Sequence, residues 1–590
     1  MSHRVRVRTA WFVGAVLVAA GLPAILAGAF TGNGTQPPLL FPLNPPSVCA
    51  GCHGGFDSGY NVRPHTTWKG SMMANAGRDP LFWAALDVAN HDLPGIGEWC
   101  LRCHAPAGWL AGRAAPPTGS ADGCSLFGEI DGADDDFEGL TCSACHRLEV
   151  KASPPPGQQA FYLENGQYWI SDTSCPNGFE PCRNGPYDYA PGDPLPPHPW
   201  AYSQYHVDSD ACGLCHNVTN PVLTLIDENG VNTGVPMPVE RTHKEWQSSS
   251  FAAPGPGFAT CQNCHMPDAT HDPAYPAIGG GINRSGDLPV HELVGGNAWV
   301  PRVLAGEYPA LGRSAAFDAT AAWAEQMLAA AASVAVSAPA LVQGGEVLAF
   351  EVRVTNLTGH KLPTGYPEGR RMWLDVAVRD GHGAELWRSG GWDPVTGALA
   401  ADPQLKVYEV KPGIWNRNGT EQCDTAEAGG NPLFHFVLND CIALDNRIPP
   451  AGFTGGADLE TRPVGYVYPE TSPGSGVLVH WDDTAYAISI PADAAGPVTV
   501  DAVLQYQTTS DDYVLFLRDQ ALTHSFSDDC VPRSTGPVGM SRGELAHDVW
   551  TRYDRAPPEA MAVGSAAVEL ALFADGFESG GSGAWTATAP

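Results

Sequence analysis

From Ser333 onward the chain alternates apolar and polar residues with a period of two. Leu348, Phe350, Val352 and Val354 alternate with Glu351, Arg353 and Thr355. Met372, Leu374, Val376 and Val378 alternate with Asp375 and Arg379 and run into the turn Asp380-Gly381-His382-Gly383. Val498, Val500, Ala502 and Leu504 repeat the pattern. Half-buried strands joined by Gly/Asp turns predict an antiparallel β-sandwich over 335–510, immunoglobulin-like in style. Ala315–Ala332 contains strong helix formers and no breaker, so 311–334 reads as a connecting helix. Residues 511–566 are expected to pack back on the core, with a tail or sorting signal at 567–590. Residues 30–310 look different: weakly periodic, with a proline-rich stretch at Pro154–Pro199 and a helical pattern at Pro80–Asn90.

The N-terminus carries Arg4, Arg6 and Arg8, an apolar run from Ala10 to Ala27, and Ala27-Gly28-Ala29. This is the order of a secretory signal at 1–29, with an uncleaved anchor as the alternative. Export implies a periplasmic or extracellular destination where disulfides persist. The chain has 590 residues, 64 acidic and 32 basic side chains, and a net charge of −32. Loss of three arginines with the signal would make it more negative still. Such a field argues against nucleic acid and anionic lipid as partners.

Ten of the 16 cysteines fall into five C-x-x-C-H motifs. They are Cys49-Ala-Gly-Cys52-His53, Cys100-Leu-Arg-Cys103-His104, Cys142-Ser-Ala-Cys145-His146, Cys212-Gly-Leu-Cys215-His216 and Cys261-Gln-Asn-Cys264-His265. Chance would supply roughly 0.01 copies from this composition, so the repetition is not accidental. C-x-x-C-H is the attachment signature of c-type haem: two thiols add to the two porphyrin vinyl groups, and the histidine that follows binds the iron. Zinc ribbons usually pair C-x-x-C motifs about 15–20 residues apart. Here the motifs are much farther apart and every copy carries the histidine. A thioredoxin-like pair would need a βαβ setting that is not apparent.

Over about residues 45–310 the chain resembles the multihaem (pentahaem) c-type cytochromes of the secreted bacterial type. Trp68-Lys-Gly-Ser-Met-Met73 through Arg78-Asp-Pro80, Cys103-His-Ala-Pro106 with Gly108-Trp109, Cys264-His-Met-Pro267, and His291 in His-Glu-Leu-Val-Gly-Gly-Asn297 carry the resemblance. It implies a loop-rich, mainly α pentahaem cytochrome domain at 30–310, with five covalently attached haems c supplying much of its core.

An electron-transfer haem usually takes a second axial ligand opposite the proximal histidine. Seven further histidines lie before residue 301: His65, His91, His198, His206, His243, His271 and His291. His291 ranks first, on its glycine-rich context. His206, His65 and His91 follow, then His243 and His271, with His198 last. Met72, Met73 and Met266 are other candidates. In the β-region, Gly359-His360-Lys-Leu-Pro-Thr-Gly365 looks like a segment found on β-domains attached to such cytochromes, and His360 is the expected ligand there. The competing reading of each is an ordinary surface or core histidine.

Six cysteines remain. Cys175 with Cys182 and Cys423 with Cys441 each close a short loop, and Cys124 with Cys530 follows by elimination. The end of the chain, Phe573 to Gly580 and on to Trp585, resembles a tail of some secreted proteobacterial proteins.

The expected function is electron transfer through five haems. The alternative is a multihaem oxidoreductase acting on a small nitrogen or sulfur compound at one open-site haem. Every motif ends in histidine and histidines are plentiful, which favours a carrier over a catalyst. Expected partners are redox proteins with a basic docking face, with self-assembly or outer-membrane association as further contacts.

Overall fold

The computed structural model describes residues 32–54, 62–114, 119–127, 136–279, 281–533 and 539–571. The signal segment at 1–29 and the tail beyond 571 lie outside the described residues. Helices and several β-sheets are joined by many loops.

Before residue 313 the helices are short, and four begin on a proline: Pro46–His53, Pro64–Trp68, Pro80–Asp92 and Pro106–Leu110. Proline suits a first helical turn, where its missing N–H is not needed. Asp79 caps Pro80–Asp92 by accepting from the Leu81 amide at 2.9 Å. The motifs lie on or at the end of such helices: Pro46–His53, Gly97–His104, Cys142–Cys145, Asp210–Gly213 and Cys261–His265.

Buried arginines hold these short elements together. Arg102 lies over Trp109 and Tyr168 and donates to the Asn33 carbonyl at 2.7 Å. Arg147 donates to the Phe41, Pro42 and Ser171 carbonyls. Arg78 and Arg313 share the buried carboxylate of Glu138.

One element here was not expected from the sequence. Val218–Ile226 and Asn232–Glu240 form an antiparallel hairpin. Asp227 accepts from the Asn229 and Val231 amides, and Gly230 supplies the positive φ of the turn. The hairpin leaves the fourth motif and returns to it, pairing Val218 with Glu240.

After helix Ser314–Ala331 the alternating segments form two sheets. In one, Trp481–Ser489, Val347–Asn356 and Ala332–Ser337 are neighbours. The other runs Val407–Tyr408, Arg371–Arg379, Val498–Gln507, Glu559–Ala571, Leu341–Gln343, with Glu385–Ser389 on the second strand. Leu348, Phe350, Val352 and Val354 of the first sheet share one hydrophobic cluster with Leu374, Val376, Val378, Val500 and Leu504 of the second.

Two features correct the expectation of an antiparallel sandwich ending at 510. Glu559–Ala571 lies inside the larger sheet, paired with Val498–Gln507. Leu341–Gln343 pairs with it in parallel, so that sheet is mixed. The strand is rich in Ala with Gly and Ser, so its alternation carries little hydrophobic contrast.

Between the two sheet strands, helices Asp511–His524 and Arg542–Arg552 pack on Pro80–Asp92 and Trp299–Glu307 in a second cluster that includes Leu81, Val303, Leu517 and Trp550. Ser541 and Glu544 form a capping box on the second of these helices. Cys124–Cys530 joins this region to the motif-bearing part, and Cys175–Cys182 and Cys423–Cys441 complete three disulfides. All three are the pairings expected. Among the described residues no helix is long and apolar enough to cross a membrane.

Candidate functional site

Three of the five motif histidines are held alike. His53 Nδ1 lies 2.9 Å from the Pro276 carbonyl, His146 Nδ1 2.7 Å from that of Asn184, and His265 Nδ1 2.6 Å from that of Val294. A carbonyl can only accept, so each Nδ1 carries the proton and Nε2 keeps its lone pair. Each of these rings is matched by a second histidine from a distant part of the chain. His53 and His198 have ring centres 6.4 Å apart, His146 and His291 6.3 Å, and His265 and His360 6.4 Å.

The second histidines follow the same rule. Nδ1 of His198, His291 and His360 faces the carbonyl of Pro199, Pro289 and Lys361, at 3.2, 3.0 and 3.0 Å. Two imidazoles bound to one metal from opposite sides, through bonds of about 2 Å, have ring centres about 6 Å apart. The donor set and spacing therefore suit three metal centres with two axial imidazoles each. Burial drives His146 down to about 3 and His265 and His291 down to about 4, so these rings are neutral and keep a lone pair.

The loop that carries His360 is strongly anchored. Asn356 Nδ2 donates to the His360 and Ile448 carbonyls at 2.8 and 2.9 Å. Lys361, fully buried, pairs with Asp445 at 2.8 Å, and Asp445 also pairs with Arg447. Glu245 accepts from the Lys361 amide and the Thr364 hydroxyl and pairs with Arg447.

The other two motif histidines differ. His216 Nδ1 lies 3.1 Å from a Glu240 carboxylate oxygen. Burial pulls His216 down, but the Glu240 hydrogen bond and charge outweigh it and raise its pKa above the usual value. His104 stacks face to face on Phe82, with ring centres 3.9 Å apart. Burial lowers it to about 4. Among the described residues, neither ring is matched by a second histidine at the spacing of the other three.

The motif thiols also meet across motifs. Cys49 interacts with Cys142, Cys103 with Cys215, and Cys212 with Cys261. The fourth motif therefore borders both the second and the fifth. Nε of Arg102, Arg241 and Arg370 is buried without a hydrogen-bond partner in the protein. Buried guanidinium edges of this kind suit the carboxylates of a bound group.

Several candidates are placed otherwise than the ranking anticipated. His206 stacks on His146 at 5.8 Å, but its Nδ1 is engaged by Ser203 Oγ and its Nε2 by the Cys145 carbonyl. Both nitrogens are thus already partnered within the protein. His91 is exposed and lies against His524, with ring centres 3.9 Å apart, away from the motif histidines. It stands near the end of helix Pro80–Asp92, which turns it toward helix Asp511–His524. His65 packs on Trp68 in its own short helix, with Nδ1 beside Gly54, directly after the first motif. His243 is buried, and its ring fills the place a side chain at Gly213 would take. Met72 packs against the hydrophobic cluster of the C-terminal helices.

His198, ranked last, is the histidine that reaches His53. Its one local signal is the run Pro196-Pro197-His198-Pro199, whose prolines stiffen an otherwise irregular loop. Glu240 has no local signal at all, because the hairpin brings it to His216.

The folded site thus defines a class of protein: a chain with five C-x-x-C-H motifs, three of whose histidines are matched by a second imidazole. Among solved structures, the chain is similar to a penta-heme cytochrome c552 from Thermochromatium tepidum, with a TM-score of 0.42 and 19% identity. The match covers 88% of this chain and 98% of that one. No family model and no curated protein matches the chain.

Proposed function

We propose that the protein is an exported pentahaem c-type cytochrome that transfers electrons. One observation carries the reading: three C-x-x-C-H histidines each stand 6.3–6.4 Å from a second histidine, with Nδ1 of both rings tied to backbone carbonyls. Bound haem c supplies a one-electron redox centre that needs no bond chemistry in the protein.

The chain's own residues do the rest. The ten motif cysteines, Cys49, Cys52, Cys100, Cys103, Cys142, Cys145, Cys212, Cys215, Cys261 and Cys264, form the thioether bonds. His53, His104, His146, His216 and His265 would hold the irons, and His198, His291 and His360 would be the second protein ligands of three of them. The carbonyls of Pro276, Asn184 and Val294 fix tautomer and ring direction. Arg102, Arg241 and Arg370 offer buried donors to propionates. Export agrees with the N-terminal pattern and with three disulfides in the folded chain. The β-region, read as a sandwich of immunoglobulin style on its alternating strands and shared core, belongs to the redox unit because it supplies His360. The acidic surface favours redox partners with a basic docking face.

Haem content and electron paramagnetic resonance of the oxidised protein test this reading. Five haems per chain are expected, with low-spin signals from the three sites at His53, His146 and His265. A chain exported without haem would overturn it. A high-spin haem that binds nitrite, sulfite or hydroxylamine would shift the function from carrier to oxidoreductase.

A further inference from the structure

Resting on the five-haem reading, we infer that Glu240 lowers the reduction potential of one particular site, the one held by Cys212, Cys215 and His216. The fourth motif is the one whose histidine meets a side-chain carboxylate, where three others meet a backbone carbonyl. Both groups accept the Nδ1 proton, so both fix the tautomer. They differ in strength, because an ionised acceptor draws the proton harder than a neutral carbonyl. The imidazole then donates more strongly to its metal through Nε2. A stronger axial donor favours the oxidised iron, and second-shell hydrogen bonding is one of the recognised levers on haem potential.

The fold builds this contact deliberately. The hairpin Val218–Ile226 and Asn232–Glu240 starts two residues after His216 and closes on it, with Val218 registered against Glu240. Thr242 Oγ1 lies 3.4 Å from the same carboxylate oxygen. Arg370, a half-buried cation nearby, acts on Glu240 through its charge.

Position gives the tuning a consequence. The thiols of the fourth motif interact with Cys103 of the second and Cys261 of the fifth. A lowered potential at this junction is an energetic step between the second site and the fifth. Glu240 is therefore a positioning residue that acts through His216 and sets the height of that step.

The test is a spectroelectrochemical titration of the exported holoprotein, with haem content counted first. In Glu240→Gln, the acceptor becomes neutral like the carbonyls of the other sites. One of five midpoint potentials should rise while four stay in place. Glu240→Asp keeps the charge but withdraws it from Nδ1, and should raise the same potential by a smaller amount. The inference is overturned if no potential moves in a five-haem Glu240→Gln protein, or if all five move together. It is equally overturned if Glu240→Asp leaves that potential unchanged, since charge alone would then account for the effect. If Glu240→Gln loses haem, Glu240→Asp decides: one of its five midpoint potentials must rise while four stay in place, and five unchanged potentials overturn the inference. A wild-type chain with fewer than five haems fails the preceding reading and is told apart by the count alone.

Discussion

Replacing His360 by alanine removes one imidazole and little else. The loop backbone keeps its anchors, because Asn356 binds the His360 carbonyl and not its ring, and Lys361–Asp445 and Glu245 hold the next residues. The variant should therefore fold and still attach five haems through its ten motif cysteines. The fifth site, centred on His265, should lose its second histidine, so one of the low-spin signals converts to high spin. Stability should fall as well. Ligation of one iron by His265 and His360 closes a loop of about 95 residues, and a cross-link over such a loop is worth up to about 4–5 kcal/mol by chain-entropy arguments. Residual native contacts of the loop reduce the observed loss, so about 2–4 kcal/mol is the expected range. Paramagnetic resonance of the oxidised protein and denaturant unfolding of the same samples measure the two effects. An undiminished low-spin signal and an unchanged unfolding midpoint would refute the pairing of His265 with His360.

Other substitutions separate neighbouring readings. His198→Ala should open one site at His53, whereas His206→Ala should leave all low-spin signals in place, because both ring nitrogens of His206 are engaged within the protein; the same resonance experiment checks both. Asp445→Asn leaves the buried Lys361 without its ion-pair partner while Arg447 keeps Glu245, a loss of about 3 kcal/mol that chemical denaturation reads directly. Lys361 and Arg447 hold the Asp445 carboxyl down at about 2, so its contribution is present above pH 3.8 and is lost as the pH falls through about 2; acid unfolding of Asp445→Asn should lack that component. Burial pushes Glu368 up to about 8, so the folded chain retains a proton that the unfolded chain has released. Its contribution to stability therefore declines as the pH rises from 4.5 to about 8, and Glu368→Gln should flatten stability over that window.

The parts of the site that are contiguous in sequence are legible there. Two thiols and an imidazole within five residues need only a helical turn to present them together, so the five motifs stand out whatever the rest of the fold does. The long alternating run Val347–Asn356 is equally plain, because its β-formers face a core on every second residue. The disulfides of short span follow from proximity along the chain. The strand Glu559–Ala571 is not legible in this way: alanine, glycine and serine give it too little contrast, and its place comes from pairing with Val498–Gln507.

The second ligands belong to the other kind of information. His198, His291 and His360 lie more than 90 residues from the histidines they meet, and nothing within a few residues of each says which ring it will reach. His206 has a favourable position in sequence, close before the fourth motif, yet folding brings the Cys145 carbonyl to its Nε2. Glu240 becomes the partner of His216 through the return of a hairpin. The sequence by itself determined the five C-x-x-C-H motifs and the strand pattern, since both depend on neighbours along the chain. Only the tertiary structure decided which imidazoles pair and which carboxylate meets one of them, because those contacts join segments whose meeting is set by the packing of the whole molecule.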